Sequence, residues 1–359
     1  MDSLTQIVLG ASVAEAVAGK KFGNKAILWG AIAGTIPDLD VFFRFLYHPI
    51  EASLVHRGIT HSLLFAIFVS PILAHFVSKL YKSQNEYKTW LYLFFGAIVT
   101  HPILDMFTNY GTQFLWPFHF RISFNTIFVM DPLYTLPFLV CVLISMFIGR
   151  NTRFRRRINY FGLGYSTLYL IWGIVIKLFI LSNTEHYFKE AGIVNTNRVM
   201  VKPMPLTSFY WNIIGESKNE FVLGYKSIFY SFDKNDVQII SKKNHIPINK
   251  LKWKGQNYSN DLRLFCNDYG FVTKKDSSLY FFDLRFGVST MLTDKKNRDP
   301  FFGYILETNK AGEIVKTTPY RPSKLWSEVD FDNYVMLSII LLLFVFTNQY
   351  NQNNHIKNC

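Results

Sequence analysis

Cysteine is scarce, with three in 359 residues, and that scarcity excludes two classes of structure. Cys141 lies inside an apolar stretch, Cys266 stands alone in the polar half, and Cys359 is the last residue. Neither a disulfide framework nor a thiolate metal site can be built from that spacing. Charge is also thin: Asp, Glu, Lys and Arg make up 18% of residues, against about a quarter in an ordinary soluble chain. Acids are the scarcer sign, 25 against 38 Lys and Arg, giving a net charge of +13. Such a balance points to nucleic acid only when basic residues come with a finger spacing or a nucleic-acid motif. Neither is present, so no nucleic-acid partner is expected. A basic segment ahead of the first apolar run is missing too. The chain opens Met1-Asp2-Ser3, which does not read as a cleavable signal peptide.

What the sequence has in abundance is apolar surface. Half of its residues are apolar and 17% are aromatic, so lipid is expected as one of its solvents. Apolar runs fall near 4–19, 26–46, 61–81, 90–108, 127–148 and 159–181, several of them approaching the ~20 residues that span a bilayer core. The first is short and rich in Ala and Gly. A marginal seventh run extends from Tyr334 to Thr347. From 182 to 333 the character changes: short apolar stretches such as Arg198–Val201 and Glu220–Tyr225 are punctuated by Asn, Asp, Gly and Pro, as in a β-rich soluble domain. The expected fold is an α-helical polytopic membrane bundle of about six to seven transmembrane segments with a β-rich extracytoplasmic domain. Its divisions are 1–181, 182–333, and 334–359 as a candidate last helix with a short tail.

Orientation follows from where the basic residues stand. Lys20, Lys21 and Lys25 separate the first two runs, Lys79, Lys82 and Lys88 the third and fourth, and Arg150, Arg153, Arg155, Arg156 and Arg157 the fifth and sixth. These are every second connection, so all three fit the cytoplasmic side. The connections near 47–60 and 109–126, and the 182–333 region, then face outward.

Ionisable residues beside apolar helices are costly and need partners, and they occur in four clusters. In Pro37-Asp38-Leu39-Asp40 two carboxylates follow a helix-breaking Pro and can turn to one centre, or form a solvated Pro-Asp turn. In the His56–Ser62 run two imidazoles bracket Gly58 and can reach one cation, while Thr60 or Ser62 can equally cap the next helix. His101 and Asp105 stand four apart on one helical face, as two ligands or as a ligand and the carboxylate orienting it. Asp131-Pro132 fits a helix start. The orientation drawn from Lys and Arg brings all four clusters to one side, and that convergence argues for a metal site. Imidazole and carboxylate without thiolate suit zinc first, then manganese or iron. Asp38, His56, His61 and His101 are the expected ligands, with Asp105 a ligand or the orienting group. Asp40 is the expected general base, and Arg57 the cation for an anionic oxygen.

Met1–Thr5, Gly34–Asp40, the His56–Ser62 run, Thr100–Asp105 and Gly111–Pro117, in this order, resemble the YdjM-type family of bacterial inner-membrane proteins, described as membrane-bound metal-dependent hydrolases. The resemblance covers roughly residues 1–150. It implies an inner-membrane location and makes Asp38, Asp40, His56, His61, His101 and Asp105 the family-type polar positions. Relatives carry a His soon after the starting Met, where this chain has Gln6. The resulting expectation is a hydrolase acting on an ester or phosphoester of an amphiphilic or lipid substrate at the outer membrane face. A non-catalytic membrane scaffold with a structural metal site is the rival reading. A transporter is disfavoured because no inverted repeat is visible.

Overall fold

The computed structural model of the chain describes residues 1–190, 192, 198–229, 237–275, 278–287, 300 and 302–320. The expected run at Tyr334–Thr347 lies outside them. Two units are formed, residues 1–241 with 260–265, and residues 242–259 with those from 266 onward.

The first unit is built from helical hairpins. Helices α1 (Ser3–Phe22) and α2 (Asn24–Thr35) turn at Gly23, and α2 continues past a break at Pro37 as a 3-10 helix, Pro37–Phe45. A short α3 (Pro49–Val55) and a 3-10 turn at Ile59–His61 lead into α4 (Leu63–Leu80). Then follow α5 (Tyr87–Met106), α6 (Pro132–Phe147) and α7 (Arg153–Glu190). Each of the six apolar runs thus folds as a helix. Among the described residues four helices are long and apolar enough to cross a membrane: Asn24–Phe45, Leu63–Leu80, Gln84–Met106 and Arg153–Glu190. At sixteen residues α6 is apolar but shorter.

Two features register these helices. Helices α1 and α2 meet backbone to backbone, because a Cβ on Gly30 would lie 2.3 Å from the Gly10 carbonyl oxygen and one on Gly34 2.6 Å from that of Gln6. Small residues permit such close packing where lipid offers no hydrophobic drive between helices. On the other side of α1, Arg155 of α7 grips Glu15 through two 2.6 Å bonds, and Asn159 exchanges hydrogen bonds with Ser12. Both ions are buried.

The turns rich in Lys and Arg gather at one end. Lys21 pairs with Glu86, Arg150 donates to the Lys21 carbonyl, and Asn24 donates to that of Met146. At the opposite end α7 carries a four-stranded antiparallel sheet, β1 (Arg198–Pro203), β2 (Tyr210–Glu216), β3 (Glu220–Ser227) and β4 (Val237–Ser241), paired in chain order. Ile176, Ile180 and Phe188 of α7 pack on Val201, Trp211, Ile213 and Val222 of that sheet. The expected β-rich region at 182 thus begins on a helix that runs on to Glu190.

The second unit holds another antiparallel meander, β5 (Gly270–Lys275), β6 (Ser278–Asp283), β7 (Gly303–Thr308) and β8 (Ile314–Pro319). Its buried Asp283 and Arg285 pair with each other.

Candidate metal centre

At the end away from the basic turns, four side chains from three separated segments converge. Asp38 follows the Pro37 break after α2, His61 ends the turn before α4, and His101 and Asp105 lie one above the other in the last turns of α5. One donor atom from each lies within 4.8 Å of all the others. His61, His101 and Asp105 are fully buried, and the Asp38 side chain is 23% exposed.

The proton positions are fixed by the outer nitrogens. His101 Nδ1 lies 2.6 Å from the Gly34 carbonyl oxygen, which can only accept, so Nδ1 carries the hydrogen and Nε2 is left bare. The hydroxyl of Thr60 donates to Asp40 Oδ2 at 2.6 Å, and His61 Nδ1 faces that hydroxyl oxygen at 3.1 Å and the carboxylate at 3.3 Å. His61 therefore also carries its hydrogen on Nδ1. The two Nε2 atoms then point at each other across 3.1 Å, a spacing that a proton on His61 or a cation held by both rings satisfies.

The imidazole–carboxylate distances suit a small ion. His61 Nε2 and His101 Nε2 each lie 3.4 Å from Asp38 Oδ1, and they lie 3.4 and 3.7 Å from Asp105 Oδ2. Ligands at zinc distances of about 2.0–2.1 Å stand about 3.3–3.4 Å apart around a tetrahedron. Asp105 Oδ2 is buried and makes no hydrogen bond, as expected of an oxygen kept for a metal. Two carboxylate oxygens within 4.8 Å repel by on the order of 3 kcal/mol at an effective dielectric constant near 20, which a cation relieves. With His61 neutral, the carboxylates of Asp38, Asp40 and Asp105 outnumber the Arg57 guanidinium and the Met1 amine that pair with Asp105, so the group is net negative until a proton or a metal ion joins it. Without a metal, burial disfavours a charged His61, but the carboxylates of Asp105, Asp38 and Asp40 outweigh it and raise its pKa to about 9.

Around these four stand the residues that hold them. Asp40 is buried and accepts from the Arg57 backbone N–H (3.0 Å), Thr60 Oγ1 and His61 Nδ1, with His56 Nδ1 2.6 Å away. Three of these donors are on Oδ2 and one on Oδ1, so Asp40, expected as the general base, sits where it orients His61 and His56. His56, expected among the ligands, stands one layer out, paired with Asp40 and 35% exposed. Arg57 is turned inward. Its backbone takes the left-handed φ of 64°, Nη1 donates to Thr108, Nε lies 3.2 Å from Asp105 Oδ2, and the guanidinium covers the Tyr110 ring. Gln6 donates to Asp105 Oδ1 at 3.1 Å, the oxygen turned away from His61.

Sequence reasoning missed Gly34, Thr60, Thr108 and Tyr110. Gly34 acts through its carbonyl and Tyr110 through its ring, neither of which has a motif. Of the two expected caps, Thr60 and Ser62, it is Ser62 that caps α4, accepting from Phe65 N–H. Asp131 likewise caps α6 through Leu133 and Tyr134.

Comparison with known proteins agrees with this architecture. Residues 1–180 match the model of the family described as YdjM inner membrane protein. The chain is 27% identical over 152 residues to the uncharacterized protein YfhP of Bacillus subtilis (strain 168), covering 40% of this chain and 46% of that one. It is 37% identical over 93 residues to inner membrane protein YbcI of Escherichia coli (strain K12), covering 24% and 51%. The chain thus spans about half the length of the curated relatives it matches, and no solved structure matches it. With apolar helices of crossing length and half its residues under the family model, the chain belongs to the YdjM family of inner membrane proteins.

Proposed function

We propose that this protein is a membrane-bound metal-dependent hydrolase whose centre lies at the extracytoplasmic face. The observation that carries the reading is the pair of facing imidazole nitrogens with two carboxylate oxygens beside them, all four donor atoms within 4.8 Å of one another. Asp38, His61, His101 and Asp105 hold the ion, zinc first by donor type and spacing, then manganese or iron. A divalent ion there supplies Lewis-acid chemistry, polarising an acyl or phosphoryl oxygen and bringing water within reach of deprotonation near neutral pH. The chain's own residues do the rest. His56 is oriented through Nδ1 by Asp40 and is partly open to solvent, so its Nε2 takes and returns the proton. Arg57 offsets the charge of Asp105 and keeps that side chain in place. Asp38, the most exposed of the four, marks the side from which substrate approaches. An ester or phosphoester of an amphiphile is the substrate class, and the helices cross the membrane six or seven times with the sheets outside.

The test is a screen of purified protein on lipid esters and phosphoesters, with and without chelator. Chelator-sensitive turnover is expected, and His56→Gln should lower it by about 10²–10⁴-fold, the usual weight of a general base, while leaving metal content intact. Turnover that survives metal removal contradicts the reading.

One observation favours a second reading. Four protein donors complete a tetrahedral shell and three are fully buried, as in structural sites, which are closed. Metal content without chelator-sensitive activity, and no exchangeable water on the ion, identifies that case.

A further inference from the structure

Residues 107–131 join α5 to α6 without forming a helix. Their central part is a loop closed by paired hydrogen bonds between Thr112 and Ile122. The closure needs Gly111, which sits at φ +64° and where a Cβ would fall 2.5 Å from the Ile122 carbonyl oxygen.

The loop is inside out. Two of its polar side chains turn toward protein: Arg121 donates to the carbonyls of Leu54 and His56, and Thr112 is fully buried. Its apolar side chains turn away, with Leu115 44%, Phe118 64% and Phe120 54% exposed. Pro117 and His119 are exposed beside them. In water this arrangement loses on both counts, since polar groups face in and large apolar groups face out.

Its position is set by the ends of two membrane-crossing helices. Leu63, the first residue of α4, donates its N–H to the Phe114 carbonyl at 2.9 Å, and the Met106 carbonyl at the end of α5 accepts from Phe124. The exposed apolar face of α4, with Ile67, Phe68, Ile72 and Phe76, continues from that junction. Non-helical backbone is excluded from the hydrocarbon core because its N–H and C=O groups go unsatisfied there. Trp and other aromatic rings settle at headgroup depth.

We infer that residues 113–120 form an interfacial lip, immersed in the headgroup and upper acyl region of a phospholipid bilayer beside the metal-binding group. The Gln113 N–H is bonded to the Arg57 carbonyl at 3.1 Å, so the lip is tied to the residues flanking His61 on both sides. Resting on the proposed function, this assigns the substrate: a membrane lipid whose scissile bond lies at headgroup level and whose chains stay in the bilayer.

Spin-label depth measurement on the full chain tests the lip. Phe118→Cys and Phe120→Cys, each with Cys141→Ala, Cys266→Ala and Cys359→Ala, are labelled and reconstituted in phosphatidylethanolamine–phosphatidylglycerol vesicles, with Asn151→Cys at the basic end as the water-exposed control. Collisions with oxygen should exceed those with a water-soluble nickel chelate at both loop positions, and the order should reverse at the control. Nickel-dominated collisions at the loop overturn the inference, and so does shielding from both reagents, which places the loop against protein. Metal content is read on the same samples. A lipid-immersed loop on metal-free protein ends the hydrolase reading and leaves the lip; the opposite pattern ends the lip and leaves the metal.

Discussion

At His101 the backbone of another helix decides the chemistry. The Gly34 carbonyl takes the Nδ1 hydrogen, so Nε2 faces His61 as a lone pair whether or not a cation is present. Asp40 engages Nδ1 of His61 and adds a bond to the Arg57 backbone and contact with His56. Removing this support should weaken the metal without abolishing it: Asp40→Asn is expected to lower affinity by about 10–100-fold, the usual effect of losing an orienting carboxylate, measured by competition with a chromophoric chelator. Protons compete for the same site. Because the carboxylates raise the His61 pKa to about 9 in the metal-free protein, metal entry must expel that proton. Affinity should therefore rise about tenfold per pH unit up to about pH 9 and level off above it. The sign is opposite for the metal-free form, where the protonated His61 contributes stability that is present at low pH and lost as pH rises through about 9. A metal affinity that is flat from pH 6 to 9 contradicts a protonated His61.

At the scale of elements, the site depends on how closely α1 and α2 approach. Gly30→Val puts side-chain atoms where the Gly10 carbonyl lies, and overpacking of this kind costs about 1–3 kcal/mol, to be read as a lower melting temperature in detergent together with weaker metal binding. The Glu15–Arg155 pair fixes α7 to α1 and is buried on both sides. Arg155→Met leaves an unpaired buried acid and should cost about 3–5 kcal/mol, whereas Glu15→Leu with Arg155→Met should recover most of it. Thermal melts of the single and double variants in one detergent decide this.

How far the sequence could be read varies with the kind of signal. The helices were legible because apolar runs of near-crossing length have few other solutions, and Asp131-Pro132 read correctly as a cap. Asp38 and His61 were legible because each sits at a break or turn beside an apolar run, and His101 and Asp105 because their spacing of four puts them on one helical face. His56 was not distinguishable from His61: both flank Gly58, and only the left-handed turn at Arg57 sends one to the metal group and the other to Asp40. Arg57 read as the cation for a substrate's anionic oxygen because charge pairing with Asp105, 48 positions away, leaves no local trace. The extension of α7 to Glu190 was missed since its last turns are polar, and they are held by Phe188 packing on the sheet.

For the whole molecule, the three basic turns share one end and the metal-binding group lies at the other. Reporter fusions should place the Arg150–Arg157 turn in the cytoplasm by the positive-inside rule, and fusions after Glu190 outside. An outward Arg150–Arg157 turn would reverse the side on which substrate is met. The central claim is simpler than topology, sidedness or substrate: a divalent ion belongs between one helix and two turns of this bundle. Elemental analysis of protein purified without chelator, beside a His61→Ala, His101→Ala double variant, tests it most directly. About one divalent ion per chain is predicted for the native protein, as for a single tetrahedral site, and none for the variant. Native protein free of metal after exposure to zinc, manganese and iron, or a variant that keeps its full complement, contradicts the account.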